Sequence, residues 1–263
     1  MAADHFSGHA ADYAKFRPDY PPALFDWLAA QTAQHDLAWD CGCGNGQASL
    51  PLAARFGRVV ATDLAARQIE AAPAHPRVEY RVAAAEASGL ADACCDLVTV
   101  AQALHWFDFD RFYAEARRVL KPGGVLAAWT YQLLRAEPGI DAVFADYYGR
   151  VLASWWPAER KWVDEGYRTL PFPFAEITAP AFEIRLQWTL EDLLAYLRTW
   201  TATRYLSQAE SRDPTLPLGE VLRPLWGEGA REIVWPIALR VGRACGAVAE
   251  LDCGAVAELD CGP

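Results

Sequence analysis

Between Leu37 and Tyr131 the chain alternates short apolar runs with segments of helical periodicity, and this rhythm limits the folds open to it. The runs are LAWDCG, RVVATD, VEYRVA, DLVTVAQAL and GVLAAWTY. The fourth is continuously apolar and β-branched, as expected for a strand covered on both faces. Between the runs lie QASLPLAARFG, AARQIEAA and a stripe of Phe109, Phe112, Tyr113, Ala116, Val119 and Leu120 at helical spacing. Asp108 stands where it can cap that last helix, and KPGG stops it. Strands separated by helices of this length imply right-handed crossovers and a parallel sheet.

The expected architecture is α/β: a doubly wound, mostly parallel, seven-stranded sheet with a helical insertion after the fifth strand. Residues 1–35 read as an N-terminal lid and a first helix, PPALFDWLAAQTA. Residues 36–131 read as the α/β core, and 132–180 as a helical insertion over the strand ends, rich in tryptophan and broken by LPFPF. Residues 181–243 complete the sheet. FEIRLQW supplies a strand, Thr189 and Asp192 a near capping box for the next helix, and EIVWPIALRVG the last strand after a proline-rich connection. Pro236 in that strand predicts an edge position or a bulge. Residues 244–263 contain the octapeptide CGAVAELD twice, which predicts a disordered tail outside the fold.

Composition excludes several classes. A net charge of −10 argues against a nucleic-acid or anionic-membrane surface. No apolar run approaches the roughly 20 residues of a membrane helix, and no signal peptide is recognisable, so a soluble cytoplasmic protein is expected. Cys41 and Cys43 lack a second chelating pair at zinc spacing, so no metal is expected.

WDCGCGNGQ, residues 39–47, carries the chemistry. A phosphate-cradling loop would need Lys-Ser/Thr after its last glycine, and a dinucleotide fingerprint would need a small residue at 47, where Gln47 stands. The spacing Asp40-x-Gly42-x-Gly44-x-Gly46 instead suits a cofactor with an ammonium group and no pyrophosphate. Asp40 can orient loop amides or meet that ammonium. Asp63 ends the next strand, where a carboxylate can accept from both hydroxyls of a ribose or cap the following helix.

WDCGCGNGQ, VVATDL, AAAEASGL, DLVTVAQALHWFD and EARRVLKPGGVL, in this order, resemble the motifs of class I S-adenosylmethionine-dependent methyltransferases. Within these, QALHWF and FSGHAADYAKFRPDYP are similar to the type 11 group near trans-aconitate methyltransferases. The resemblance implies S-adenosyl-L-methionine as cofactor and a small-molecule methyl acceptor. It places Asp40, Gly42, Cys43, Gly44 and Gly46 around the methionine portion, Asp63 on the ribose, and Leu64 beside the adenine. It also puts Ala85 and Glu86 at the adenine edge, and Gln102 and Ala103 near the sulfonium. Ala83-Ala84 replace the Gly-Asp of many relatives, so Glu86 or a backbone group must serve the adenine. Tyr13 and Arg17 are implied as a lid, with Arg17 facing the cofactor carboxylate. His105, Trp106 and Tyr131 are the candidate acceptor contacts, and His105 could clamp a carboxylate or act as a base. An NAD-type oxidoreductase and a non-catalytic cofactor-binding subunit are the competing readings.

Overall fold

The computed structural model describes residues 17–244. Helix α1 (Pro22–Ala30) precedes β1 (Leu37–Cys41), α2 (Ser49–Ala53), β2 (Arg58–Asp63), α3 (Ala66–Glu70), β3 (Val78–Val82), β4 (Cys95–Ala101), α4 (Phe109–Val119) and β5 (Leu120–Tyr131). Then come α5 (Pro138–Asp146), α6 (Arg160–Asp164), β6 (Ala175–Glu176), β7 (Phe182–Trp188), α7 (Leu190–Arg198), α8 (Thr201–Glu210), α9 (Thr215–Trp226) and β8 (Arg231–Arg243). The sheet order is β3-β2-β1-β4-β5-β8-β6, with β7 also paired to β8. The first five strands are parallel, and β8 runs antiparallel to β5. The two-residue β6 adds an eighth strand to the expected seven.

Alternate residues of the central strands feed two cores, because successive side chains of a strand point to opposite faces. Ala38, Leu97, Val125, Ala127 and Trp129 join one, with Leu24, Phe25 and Leu28 of α1. Trp39, Val98, Val100, Leu126 and Ala128 join the other, with Phe112 and Val119 of α4. Asp108 caps α4, accepting from Arg111 N at 3.2 Å. Thr189 and Asp192 form a complete capping box on α7.

Two expectations are corrected. The stretch expected to be a proline-rich connection is helical over α8 and α9, with Pro224 inside α9. Leu218, Leu222 and Trp226 bury one face of α9, and Gly219 lets the helix approach Leu194 so closely that a Cβ would lie 2.9 Å from its Cδ1. That burial outweighs the lost backbone bond at the proline.

Pro236 lies on neither an edge nor a bulge, since β8 pairs on both sides. Its pairing with β5 begins at Ile237, where Tyr131 ends that strand, while β7 covers 231–237. Pro236 O accepts from Gln132 N at 2.8 Å, just past the end of the β5 ladder. The missing N–H therefore falls where β5 no longer needs it. Tyr13 and the duplicated octapeptide lie outside the described residues.

Candidate active site

The glycine loop leaves β1 and is tied down by its neighbour β2. Gly42 N and Cys43 N both donate to Thr62 O, at 2.8 and 3.0 Å. Gly44 N donates to Asp63 Oδ2 at 2.8 Å. At Gly44 φ is +54°, and a Cβ built there would meet nothing within 4 Å, so the loop backbone borders open space. At Gly46 φ is +89°, and a Cβ would lie 2.4 Å from the Tyr80 hydroxyl. Both positions call for glycine, the first for conformation alone and the second for conformation and room.

Asp40 does not hold the loop amides, as one expectation had it. It is wholly buried, its two oxygens accepting from Ser49 Oγ at 2.6 Å and Thr99 Oγ1 at 3.0 Å. Burial pushes its carboxyl up to about 6, in spite of those two hydroxyls. Asp40 thus braces the floor beneath the loop. Cys43 is buried as well, and burial raises its thiol well above the usual range, which keeps it unreactive.

Asp63 bonds both the glycine loop and the chain that enters α3. Its Oδ2 takes the Gly44 amide and its Oδ1 takes Ala65 N at 2.8 Å, at the start of α3. Beside it Leu64 is 58% exposed, as is Val82 at 56%, and Val82 pairs with Asp63 in the sheet register. Val82 and Tyr80 were not anticipated from sequence, although both fall in the recognised third strand. Ala85 is buried, and Glu86 Oε1 accepts from Asp108 N at 3.1 Å. A positive-φ glycine beside open space, a carboxylate facing it and two exposed apolar side chains fit an adenosyl group.

At the end of β4, Gln102 takes φ of +57°, rare for a non-glycine residue. Its Oε1 accepts from Thr130 Oγ1 at 2.5 Å. Ala103 packs under the glycine loop, where a Cβ on Gly42 would lie 2.6 Å from its own. Beyond them lies a cavity of about 70 Å³, partly open to solvent, lined by Arg17, His105, Trp106, Tyr131, Arg160 and Trp200 among others. The three expected acceptor contacts meet in this cavity, and Gln102 lines it with them.

Arg17 turns its side chain into this cavity. Its Nη1 donates to Tyr131 OH at 2.5 Å, and its guanidinium lies 5.6 Å from the Tyr196 ring centre, so the side chain faces the cavity. Its carbonyl meets the loop, accepting from Gln47 Nε2 at 3.2 Å. His105 is buried, with Nδ1 2.8 Å from Tyr167 OH and its ring tilted on Trp106. Burial first, then the charge of Arg160, push its pKa down to about 3. A buried imidazole held neutral disfavours the cationic clamp, one of the two roles expected of it. Arg160 and Trp200 carried no signal of their own in the sequence.

Fold and cleft together define a Rossmann-like methyltransferase, with a glycine loop after β1, a carboxylate ending β2 and an antiparallel β8 beside β5. Comparison with known proteins agrees. The family model for a methyltransferase domain matches residues 39–128. A Dictyostelium discoideum protein described as a methyltransferase is 32% identical over 223 residues, 83% of this chain and 85% of its own. A solved structure described as a type II methyltransferase from Anaeromyxobacter dehalogenans is 50% identical, covers 88% of this chain and 99% of its own, and superposes with a TM-score of 0.83. A malonyl-[acyl-carrier protein] O-methyltransferase of Hahella chejuensis is 34% identical over 154 residues, 53% of this chain and 54% of its own. The chain belongs to the class I S-adenosylmethionine-dependent methyltransferases, type 11 group.

Proposed function

We propose that this methyltransferase binds S-adenosyl-L-methionine between the glycine loop and Asp63 and methylates a small molecule admitted to the aromatic cavity, with a carboxylate as the favoured acceptor. The observation that carries the reading is the Gly44–Asp63 bond, which sets a carboxylate at the rim of an open, glycine-walled cleft. Bound there, the cofactor supplies a methyl group activated on a sulfonium, which leaves as a neutral thioether. Asp63, at the end of β2, accepts from the ribose hydroxyls, while Leu64 and Val82 cover the adenine. Asp40, through Ser49 and Thr99, keeps the loop from shifting. Gln102 fixes the end of β4 next to the transfer site. Alignment of this kind contributes roughly 7–11 kcal/mol to such a displacement.

The acceptor class follows from the side chains around the cavity. Among the described residues no carboxylate lines it, and its imidazole binds a proton too weakly to be an effective base at neutral pH. An acceptor that arrives already ionised needs no base. The resemblance to trans-aconitate methyltransferases and the relative named for O-methylation of a malonyl group support the same class. A net charge of −10 argues against a nucleic-acid substrate. The free thiols of Cys41, Cys43, Cys94 and Cys95 suit a reducing cytoplasm.

Thermal unfolding with S-adenosylhomocysteine or NAD tests the cofactor. At a hundred times its dissociation constant the adenosyl compound should add about 2.7 kcal/mol of stability. Protection by NAD alone would favour the oxidoreductase reading and overturn this one.

A further inference from the structure

We propose that Arg160 is the anchor for the acceptor, which is a carboxylate carried on a flat apolar body that lies against Trp156. This rests on the cavity being the acceptor site. It adds the residue that grips the anion and the shape of what is gripped.

Arg160 begins α6 in the insertion, and its Nε donates to Tyr148 OH at 2.7 Å and to Asp164 Oδ1 at 3.1 Å. Its guanidinium lies 4.5 Å from the Trp156 ring centre and 5.2 Å from that of Tyr148. Its two Nη atoms make no hydrogen bond among the described residues, and the residue lines the cavity. The side chain is 23% exposed. A guanidinium whose fork meets no protein acceptor is free to bind an incoming anion in two-pronged fashion. Arg17 adds a second positive charge to the wall, and Asp164, which pairs with Arg160 Nε, does not itself line the cavity. In a chain of net charge −10 that concentration of positive charge is local to the cavity.

The body of the acceptor follows from the other walls. Trp156 and Trp200 have ring centres 5.3 Å apart at 53°, and Trp200 stands edge-on to Tyr196 at 5.6 Å. Trp200 is buried among these rings, and the partly exposed Trp156 supplies the apolar surface beside Arg160. The rings could also cage a cation, but Arg160 already covers Trp156 and Arg17 already lies over Tyr196, so a cationic ligand would be repelled. A guanidinium fork matches the two oxygens of a carboxylate, and a phosphate monoester presents the same edge.

The test is calorimetric titration of the full chain, saturated with S-adenosylhomocysteine, with four probes: indole-3-acetate, indole-3-acetamide, tricarballylate and phenyl phosphate. The indole acid should bind about tenfold or more tightly than its amide, the effect of losing a bond to a charged group. It should also bind more tightly than the aliphatic tri-acid or the phosphate. Arg160→Gln should remove that preference, and Arg160→Lys should restore part of it. Both variants should bind S-adenosylhomocysteine as wild type does, which reports that they are folded. The proposal is overturned if acid and amide bind alike, if no indole acid binds, or if the tri-acid or the phosphate binds best. It also fails if folded Arg160→Gln keeps the preference. Failure of the wild type to bind S-adenosylhomocysteine would instead strike the cofactor reading.

Discussion

Asp63 accepts the backbone amide of Gly44 at 2.8 Å, so the last residue of β2 shapes the loop that follows β1. The same carboxylate takes Ala65 N with its other oxygen. Asp63→Ala should therefore lower both cofactor affinity and stability, the affinity by about 1.5–3 kcal/mol, the range for hydrogen bonds to a charged group. Titration with S-adenosylhomocysteine and urea unfolding read the two losses separately. An intact affinity would reduce Asp63 to a cap.

Gly44 and Gly46 should respond differently to alanine. Gly44→Ala meets no neighbour and costs only the left-handed backbone, roughly 1–2 kcal/mol, but its Cβ enters the cleft and should weaken S-adenosylhomocysteine binding. Gly46→Ala drives a Cβ onto the Tyr80 hydroxyl and should destabilise more. Adding Tyr80→Phe should recover part of that stability. Equal melting temperatures for the two single variants would refute the contrast.

Burial raises the Asp40 carboxyl from 3.8 to about 6, so between those values the folded chain holds a proton that the unfolded chain releases. Stability contributed by this group therefore grows as pH falls from about 6 toward 4, by at most roughly 3 kcal/mol at 1.36 kcal/mol per unit. Asp40→Asn cannot titrate. Wild type should gain on that variant in urea unfolding at pH 4.5 relative to pH 7.5, and a constant difference would contradict the assignment.

For His105, with its pKa pushed down to about 3, no titration is expected between pH 5 and 8. Its imidazole proton resonances should stay fixed over that interval. In Arg160→Gln the pKa should rise but remain below the ordinary histidine value, because burial is the larger cause. A midpoint near 6.5 in wild type would restore the clamp and base roles.

The cofactor half was legible because its signals are local. A run, a glycine loop and an acidic strand end lie within about 25 residues, and β-α alternation dictates that they meet. The acceptor half was not, since Arg17, His105, Arg160 and Trp200 come together only through the tertiary fold. Nothing in the letters around His105 states that it will be buried, and burial decides its charge. Pro236 misled for a similar reason. The rule that sends proline to an edge assumes one ladder along a whole strand, whereas β8 changes partners at that residue.

That change of partners has a kinetic side. Arg243 Nη1 reaches back to Gly123 O, 120 residues upstream, and the β5–β8 ladder closes a loop of comparable size. Closing so long a loop comes late, after the local β-α units that need no distant partner. Residues 37–131 can thus collapse into a cofactor half while the insertion waits for β8. On the ribosome, where synthesis proceeds at roughly 5–20 residues per second, that interval lasts several seconds. During it Trp129 and its neighbours on β5 lack their last strand, the moment at which this chain is most exposed to aggregation.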